Sequence, residues 1–177
     1  MSRRCQPPAE CCTSGVPSPG AVRRLSAASP RVIALDVILA DAGDPAETQE
    51  LSDALREAPN LVLSCELIDD PLRWEDPRRS FPDWAVDFGH VDAEPDDRDQ
   101  LMRAIPLDKR AGTVQRWALA RQASGLSRGA AIIESFTDVE VGHTMIPVKP
   151  TADGRLMRVT YRPPRCRNSP CFGTNGC

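Results

Sequence analysis

The stretch RVIALDVIL at residues 31–39 is the most informative segment of the chain for its fold. Apart from Arg31 and Asp36 every residue in it is apolar. A continuous apolar run of this length, rich in Val and Ile, is typical of a strand buried on both faces of a sheet. We therefore predict a strand near residues 31–39 in the interior of a sheet.

The residues that follow predict a helix and a second strand. Asp44 supplies an N-cap acceptor, Pro45 suits the first helical position and Glu47 completes a capping box. Apolar residues recur at positions 51, 54, 55 and 58, which is the spacing of one helix face. An apolar run near residues 60–65 then predicts the second strand. Strand, helix and strand in this order predict a β-α-β unit with parallel strands.

The rest of the ordered region predicts shorter elements. Residues 88–91 and 101–107 are extended candidates that pair as a hairpin, and a helix is expected after Thr113. Three extended segments close the region, the last two joined by a turn at residues 152–154. The predicted fold class is α/β, with a mainly parallel sheet built on the β-α-β unit and a β-hairpin-rich C-terminal part.

Composition limits the classes of protein to which the chain can belong. It has 177 residues, 22 Lys and Arg against 25 Asp and Glu, and a net charge of −3. A hydrophobic content of 41% suits one globular domain. Nucleic-acid binding requires a dense basic surface, so we expect no nucleic-acid partner. No apolar run reaches the length of a membrane span and no export signal is readable, so the chain as encoded is expected in the cytoplasm.

The two ends of the chain differ from its middle. Residues 1–20 and 165–177 are rich in Pro, Ser, Gly and Cys and lack hydrophobic periodicity, so we predict disordered tails around a domain at residues 21–164. Six of the seven cysteines lie in these tails, at spacings that do not match a zinc ribbon. We accordingly expect no metal and no cofactor.

Two carboxylates follow the first predicted strand. Asp36 lies within it and Asp41 just beyond its end, where open α/β sheets place ligand sites. One interpretation is a small metal-dependent α/β phosphoesterase that uses Asp36 and Asp41. The other is a ligand contact in a non-catalytic protein, or an acid that binds neighbouring backbone amides. No basic residue is patterned beside Asp36 to stabilise a transferring phosphoryl group, which disfavours the enzyme.

Two further residues complete the set of candidate ligand-binding positions. His90 follows a glycine and has no neighbour at a metal-binding spacing. Arg103 follows an acidic loop at residues 92–99 and offsets its charge. Cys65 lies in an apolar strand, where a thiol usually packs as a small hydrophobe, so we predict no catalysis by Cys65 with His90.

The order of these segments resembles the type-two CHASE sensor domain. The first half of the likeness comprises RVIALDVIL at 31–39, LSDAL at 51–55 and NLVL at 60–63. The second half comprises GHVD at 89–92, DRDQLMRAIPL at 97–107, IPV at 146–148 and DGRLMRVTYR at 153–162. The resemblance covers most of residues 21–164. It departs from the family pattern at Gln100, where Gly is usual, and at Thr160, where Asn is usual.

The resemblance implies a function. Domains of this family are extracytoplasmic sensors of bacterial membrane receptors, followed by membrane helices and a cytoplasmic cyclase or kinase output domain. It implies a non-enzymatic sensor of an unknown small ligand or signal, here as a fragment truncated at its N-terminus and lacking membrane helices and output domain. An absent opening strand leaves an apolar sheet edge, so we also expect self-association.

Overall fold

The computed structural model describes residues 17–40, 44–69, 72–78, 81–93, 95–96 and 98–161. Its helices are α1 (Pro19–Ala27), α2 (Pro45–Arg56) and α3 (Leu119–Arg128), with a 3-10 turn at Pro82–Trp84. Its first strands are β1 (Ile33–Leu35), β2 (Leu61–Asp69), β3 (Leu72–Glu75), β4 (Asp87–His90) and β5 (Ala104–Ala111). The later strands are β6 (Val114–Trp117), β7 (Ile132–Glu134), β8 (Asp138–Val141), β9 (Thr144–Pro150) and β10 (Gly154–Arg158).

Helix α2 begins as its sequence predicts. The Asp44 carboxylate accepts hydrogen bonds from the backbone N–H groups of Ala46 and Glu47, at 2.9 and 3.2 Å. This satisfies donors that have no partner within the helix. Leu51 and Leu55 on its apolar face are buried against the first sheet. The predicted helix is therefore confirmed.

The first sheet contains four strands. β2 pairs in parallel with β1 and with β4, and its C-terminal half pairs antiparallel with β3. The prediction of an interior strand over residues 31–39 is wrong, because β1 spans three residues and pairs only with β2 among the described strands. Ala34 and Asp36 are exposed, whereas Ile33 and Leu35 are buried. The segment thus buries one face rather than two.

The second sheet has six strands in the order β6-β5-β10-β9-β8-β7. Neighbouring strands in it run antiparallel throughout. The hairpin of β9 and β10, predicted from its turn residues, is confirmed. Leu107, Val139 and Val141 form its buried core.

The predicted fold class, a mainly parallel α/β sheet built on a β-α-β unit, is wrong. Six of the strand pairings in the described residues are antiparallel and two are parallel. The prediction extrapolated from the first two apolar strands to the whole sheet. Short turns join β5 to β6, β7 to β8, β8 to β9 and β9 to β10, and short turns produce antiparallel neighbours. The molecule is mostly antiparallel sheet with few helices.

The two sheets meet where β4 approaches the start of α3. His90 forms a parallel bridge with Ala118, which joins the first sheet to the end of β6. A Cβ atom on Gly89 would lie 2.4 Å from the Leu119 Cα atom, so only glycine permits this approach. The Trp74 indole N–H donates to the Val114 carbonyl oxygen across the same junction, at 3.1 Å. Helix α3 packs against β4, β2 and β1.

Two smaller predictions also fail at this junction. Residues 88–91 do not form a hairpin with residues 101–107, because β4 pairs with β2 instead. The helix expected after Thr113 starts only at Leu119, since residues 114–117 form β6. The predicted tails at residues 1–20 and 165–177 lie largely or wholly outside the described residues. No helix within the described ranges is long and apolar enough to cross a membrane.

Candidate functional site

The structure describes one of the two candidate carboxylates predicted near the end of β1. Asp36 is exposed and directly follows β1, whereas Asp41 lies outside the described residues. The register aligns Leu35 with Leu63 of β2, and Cys65 of β2 with His90 of β4. Asp36 and His90 therefore lie at the same, carboxyl-terminal edge of the parallel strands, on opposite sides of β2. A ligand role for Asp36 stays a prediction.

His90 is the last residue of β4 and is 1% exposed. Its ring stacks on that of Trp74, with centroids 6.1 Å apart and planes inclined by 24°. Its Nδ1 atom lies 3.5 Å from the Asp92 Oδ2 atom. Burial lowers the pKa of His90 from 6.5 to about 4, although the Asp92 charge acts in the opposite direction. The imidazole is consequently neutral at pH 7.

Several polar atoms of β2, of β4 and of the residues near them are buried without a hydrogen-bond partner in the described part of the chain. They are Ser64 Oγ, His90 Nδ1 and Nε2, Asp92 Oδ2 and Arg116 Nε. An unsatisfied buried polar group destabilises a fold by roughly 1–3 kcal/mol. Native structures contain few of them, and each calls for an explanation. We name Cys65, His90, Asp92 and Arg116, which lie on one face of the first sheet or beside it, the His90 cluster.

The His90 cluster predicts a loss of stability in acid. Below pH 6.5 the imidazole of the unfolded chain binds a proton, whereas the buried imidazole does so only near pH 4. Stability is therefore complete above pH 6.5 and falls as the pH drops toward 4, by about 3 kcal/mol. Urea unfolding at pH 7 and pH 4 measures this loss, and in His90→Phe it is expected to be smaller by that amount.

The exposed His143 provides the matched control for this experiment. His143→Phe is expected to keep the acid-induced loss of the unsubstituted protein. An equal loss in His90→Phe and in the unsubstituted protein contradicts the assignment of this pH dependence to His90.

Cys65 is fully buried beside His90. Burial raises the pKa of its thiol to about 12, so the thiolate that a nucleophile requires is negligible at neutral pH. This geometry favours Cys65 as a packed core residue.

Arg103 is half exposed and contacts the carboxylates of the acidic loop. Its guanidinium binds both carboxylate oxygens of Asp99, each at 2.6 Å, and one oxygen of Asp96 at 3.3 Å. The hydrogen bond from Arg103 lowers the pKa of Asp99 to about 2. Gln100 within this loop has a φ of +59°, in the left-handed region that favours glycine. This backbone conformation explains why the resembled family usually has a glycine at this position.

A buried charged layer joins α3 to the second sheet. Arg155 binds Asp108 through Nε at 2.9 Å and Glu134 through Nη2 at 2.8 Å. The guanidinium carbon atoms of Arg121 and Arg155 lie 3.4 and 4.7 Å from the Trp117 ring centroid. Burial lowers the pKa of Arg121 to about 10, which leaves it charged at pH 7. Both guanidinium groups are attracted to the Trp117 ring, so these contacts help to hold Arg121, Arg155 and Trp117 in place.

A cleft of about 360 Å³ opens beside this layer, between β4, α3 and the start of β7. Asp87 and Gln122 are its polar lining residues, and Leu126, Ile132 and the small residues between 125 and 131 supply its apolar walls. The Asp87 carboxylate accepts hydrogen bonds from the Gln122 amide at 2.7 Å and from the Phe88 backbone N–H at 2.8 Å. We name this feature the Asp87 cleft.

Sequence reasoning missed the residues of the charged layer and of the Asp87 cleft. Asp87 is the first residue of a strand and Gln122 lies within a helix, positions at which polar residues are ordinarily exposed. Only the pairing of α3 with β4 brings them together. Within the described ranges no group of three His, Cys, Asp or Glu side chains is placed to hold a metal ion.

Comparison with known proteins gives one finding. The model of a family described as the CHASE2 domain matches residues 20–172. No curated protein and no solved structure matches the chain. The resemblance drawn from the ordered sequence motifs is thereby confirmed.

Proposed function

Because the chain belongs to the CHASE2 domain family, a family of extracytoplasmic sensory domains, we propose that it is the signal-perceiving domain of a bacterial transmembrane receptor. The observation that carries this proposal is the family match itself, which spans residues 20–172. In the full receptor the domain passes its signal to a cyclase or kinase output domain. The signal is a small ligand or a physical condition outside the cytoplasm.

The junction of the two sheets supports this proposal. A sensory domain needs at least two arrangements whose populations a signal can shift. The two sheets contact one another through the His90–Ala118 bridge and the Trp74–Val114 hydrogen bond, and α3 contacts the first sheet at Gly89. A change in any of these contacts alters the relative position of the sheets. The unsatisfied polar atoms of the His90 cluster lie beside the same junction.

A chimeric receptor tests the proposal. The full chain is placed between an N-terminal membrane anchor and a membrane helix that leads into a cytoplasmic adenylate cyclase. Cyclic AMP is then measured in a bacterium that lacks its own cyclase. Disrupting the junction with Gly89→Ala is expected to change cyclic AMP output at equal receptor abundance, because the output reads the state of the domain.

Gly20→Ala is the matched control, since an added Cβ atom at Gly20 meets no atom within 4 Å. This variant is expected to keep the output of the unsubstituted receptor. Equal output from the Gly89→Ala receptor and the unsubstituted one, at equal abundance, refutes the proposed sensory role.

A further inference from the structure

We propose that the Asp87 cleft binds a small aliphatic amine in its ammonium form. The inference rests on the proposed sensory function and names the chemical class of the signal. The cleft is lined by residues of both sheets and of α3, with Asp87 from β4 and Ile132 from β7. A ligand seated there contacts both sides of the junction and can shift their arrangement.

Asp87 is the acidic residue of the cleft. Its two carboxylate oxygens accept hydrogen bonds only from neutral donors, the Gln122 amide and the Phe88 backbone N–H, among the described residues. Each oxygen retains a lone pair for another donor. No Lys or Arg among the described residues lines the cleft. Arg121 interacts with the Asp87 charge through Gln122, whose amide oxygen accepts a hydrogen bond from Arg121 Nη1 at 2.9 Å, while the guanidinium also packs on Trp117.

The end of α3 forms one side of the cleft. The helix ends at the cleft with Gly129 as a left-handed C-cap, at a φ of 58°. The carbonyl groups in the last turn give a helix C-terminus a partial negative charge, which attracts cations. At this end, however, the Gly125 and Leu126 carbonyl oxygens already accept hydrogen bonds from backbone N–H groups, and the Ser127 carbonyl oxygen accepts one from the Arg31 guanidinium at 3.3 Å. The preference of the cleft for a positive ligand therefore rests on Asp87.

The walls of the cleft limit the size and polarity of a ligand. Leu126 and Ile132 provide apolar surface, and the Ile132 side chain reaches Gly125 of α3, where even a Cβ atom would lie 3.1 Å from it. The remaining lining residues, Gly129, Ala130 and Ala131, are small. The volume of about 360 Å³ is at the lower end of the range for small-molecule sites. Such a cleft suits an alkyl chain of a few carbons attached to one ammonium group.

Binding of n-butylammonium chloride to the full 177-residue chain tests the inference. The titration is followed by calorimetry at pH 7 and constant ionic strength, with n-butanol and sodium butyrate as probes of the same chain length. We expect saturable binding of n-butylammonium with a Kd of about 1 mM, and no saturable binding of the alcohol or the carboxylate. Equal binding of all three probes overturns the inference, because it shows that the charge is not recognised.

Two variants locate the site. Asp87→Asn keeps the size of the side chain and removes its charge, and is expected to weaken n-butylammonium binding at least tenfold. Ala131→Phe keeps Asp87 and fills the cleft, and is expected to weaken binding similarly. Asp153→Asn, at an exposed turn between β9 and β10, is the control and is expected to bind as the unsubstituted chain does.

The outcomes separate this inference from the proposed function. Unchanged affinity in both Asp87→Asn and Ala131→Phe overturns the amine site. If the chimeric receptor then still changes its output with Gly89→Ala, the sensory role stands and only the ligand class fails. If the output ignores Gly89→Ala while n-butylammonium binds as expected, the cleft stands and the sensory role fails.

Discussion

Gly89→Ala is expected to destabilise the folded chain by about 4 kcal/mol or more. The added methyl group would lie 2.4 Å from the Leu119 Cα atom and 2.7 Å from its backbone nitrogen. Backbone atoms cannot move aside as the end of a flexible side chain can, so β4 and α3 must separate. The free energy of unfolding in urea measures the loss.

Gly20→Ala tests whether the loss is specific to the junction. Gly20 lies near the start of α1 and has free space around its Cα atom. Alanine is the better helix former, so the control is expected to match or slightly exceed the unsubstituted stability. Similar stabilities for Gly89→Ala and Gly20→Ala contradict the described contact between β4 and α3.

Arg155→Met is expected to destabilise the chain by about 4 kcal/mol. The substitution keeps most of the aliphatic stem and removes the guanidinium that binds Asp108, whose side chain is 5% exposed. The Gln115 amide, at 2.6 Å, is the hydrogen-bond donor that then remains on this carboxylate. A buried carboxylate that has lost its cation lowers the free energy of unfolding by much more than the intact pair raises it. Urea unfolding of both proteins at pH 7 measures the loss.

Two comparisons isolate the cause of that loss. Adding Asp108→Asn to Arg155→Met is expected to recover part of the stability, because the uncompensated charge is removed. Arg103→Met breaks the exposed pair with Asp99 and is expected to change stability little. An equally small loss in Arg155→Met contradicts the description of a buried charged layer.

Local signals in the sequence predicted the elements they control directly. The Asp44 cap acts within three residues, and α2 begins as that signal indicates. The turn at residues 152–154 likewise joins two neighbouring strands, and the hairpin forms. In both cases the physical cause and its effect lie close together in the chain.

The failures come from contacts between distant residues. The apolar run at 31–39 predicts a strand buried on both faces, yet only Ile33–Leu35 forms a strand and Ala34 is exposed. Residues 114–117 carry apolar spacing compatible with a helix, but pairing with β5 holds them extended. Neither partner is apparent from the residues themselves, because tertiary pairing overrides local propensity.

In the candidate site, too, the features that depend on contacts between distant residues could not be predicted from the sequence. His90 was noticed by residue type, but its burial beside Trp74 depends on the pairing of β2 with both β3 and β4. The sequence does not predict Asp87 as a site residue, since a single carboxylate at the start of a strand carries no distinctive pattern. Its meeting with Gln122 requires α3 to pack on β4, which the prediction of a helix starting near Thr113 did not anticipate.

The most direct test of the whole account is cyclic AMP output from the chimeric receptor as n-butylammonium chloride is added to the medium. The account predicts a saturable change in output for the unsubstituted domain. It also predicts that this change is lost in Asp87→Asn and kept in Asp153→Asn. Output that stays constant over the whole titration, from a receptor that is folded and abundant, contradicts a sensory domain that perceives an amine at the Asp87 cleft.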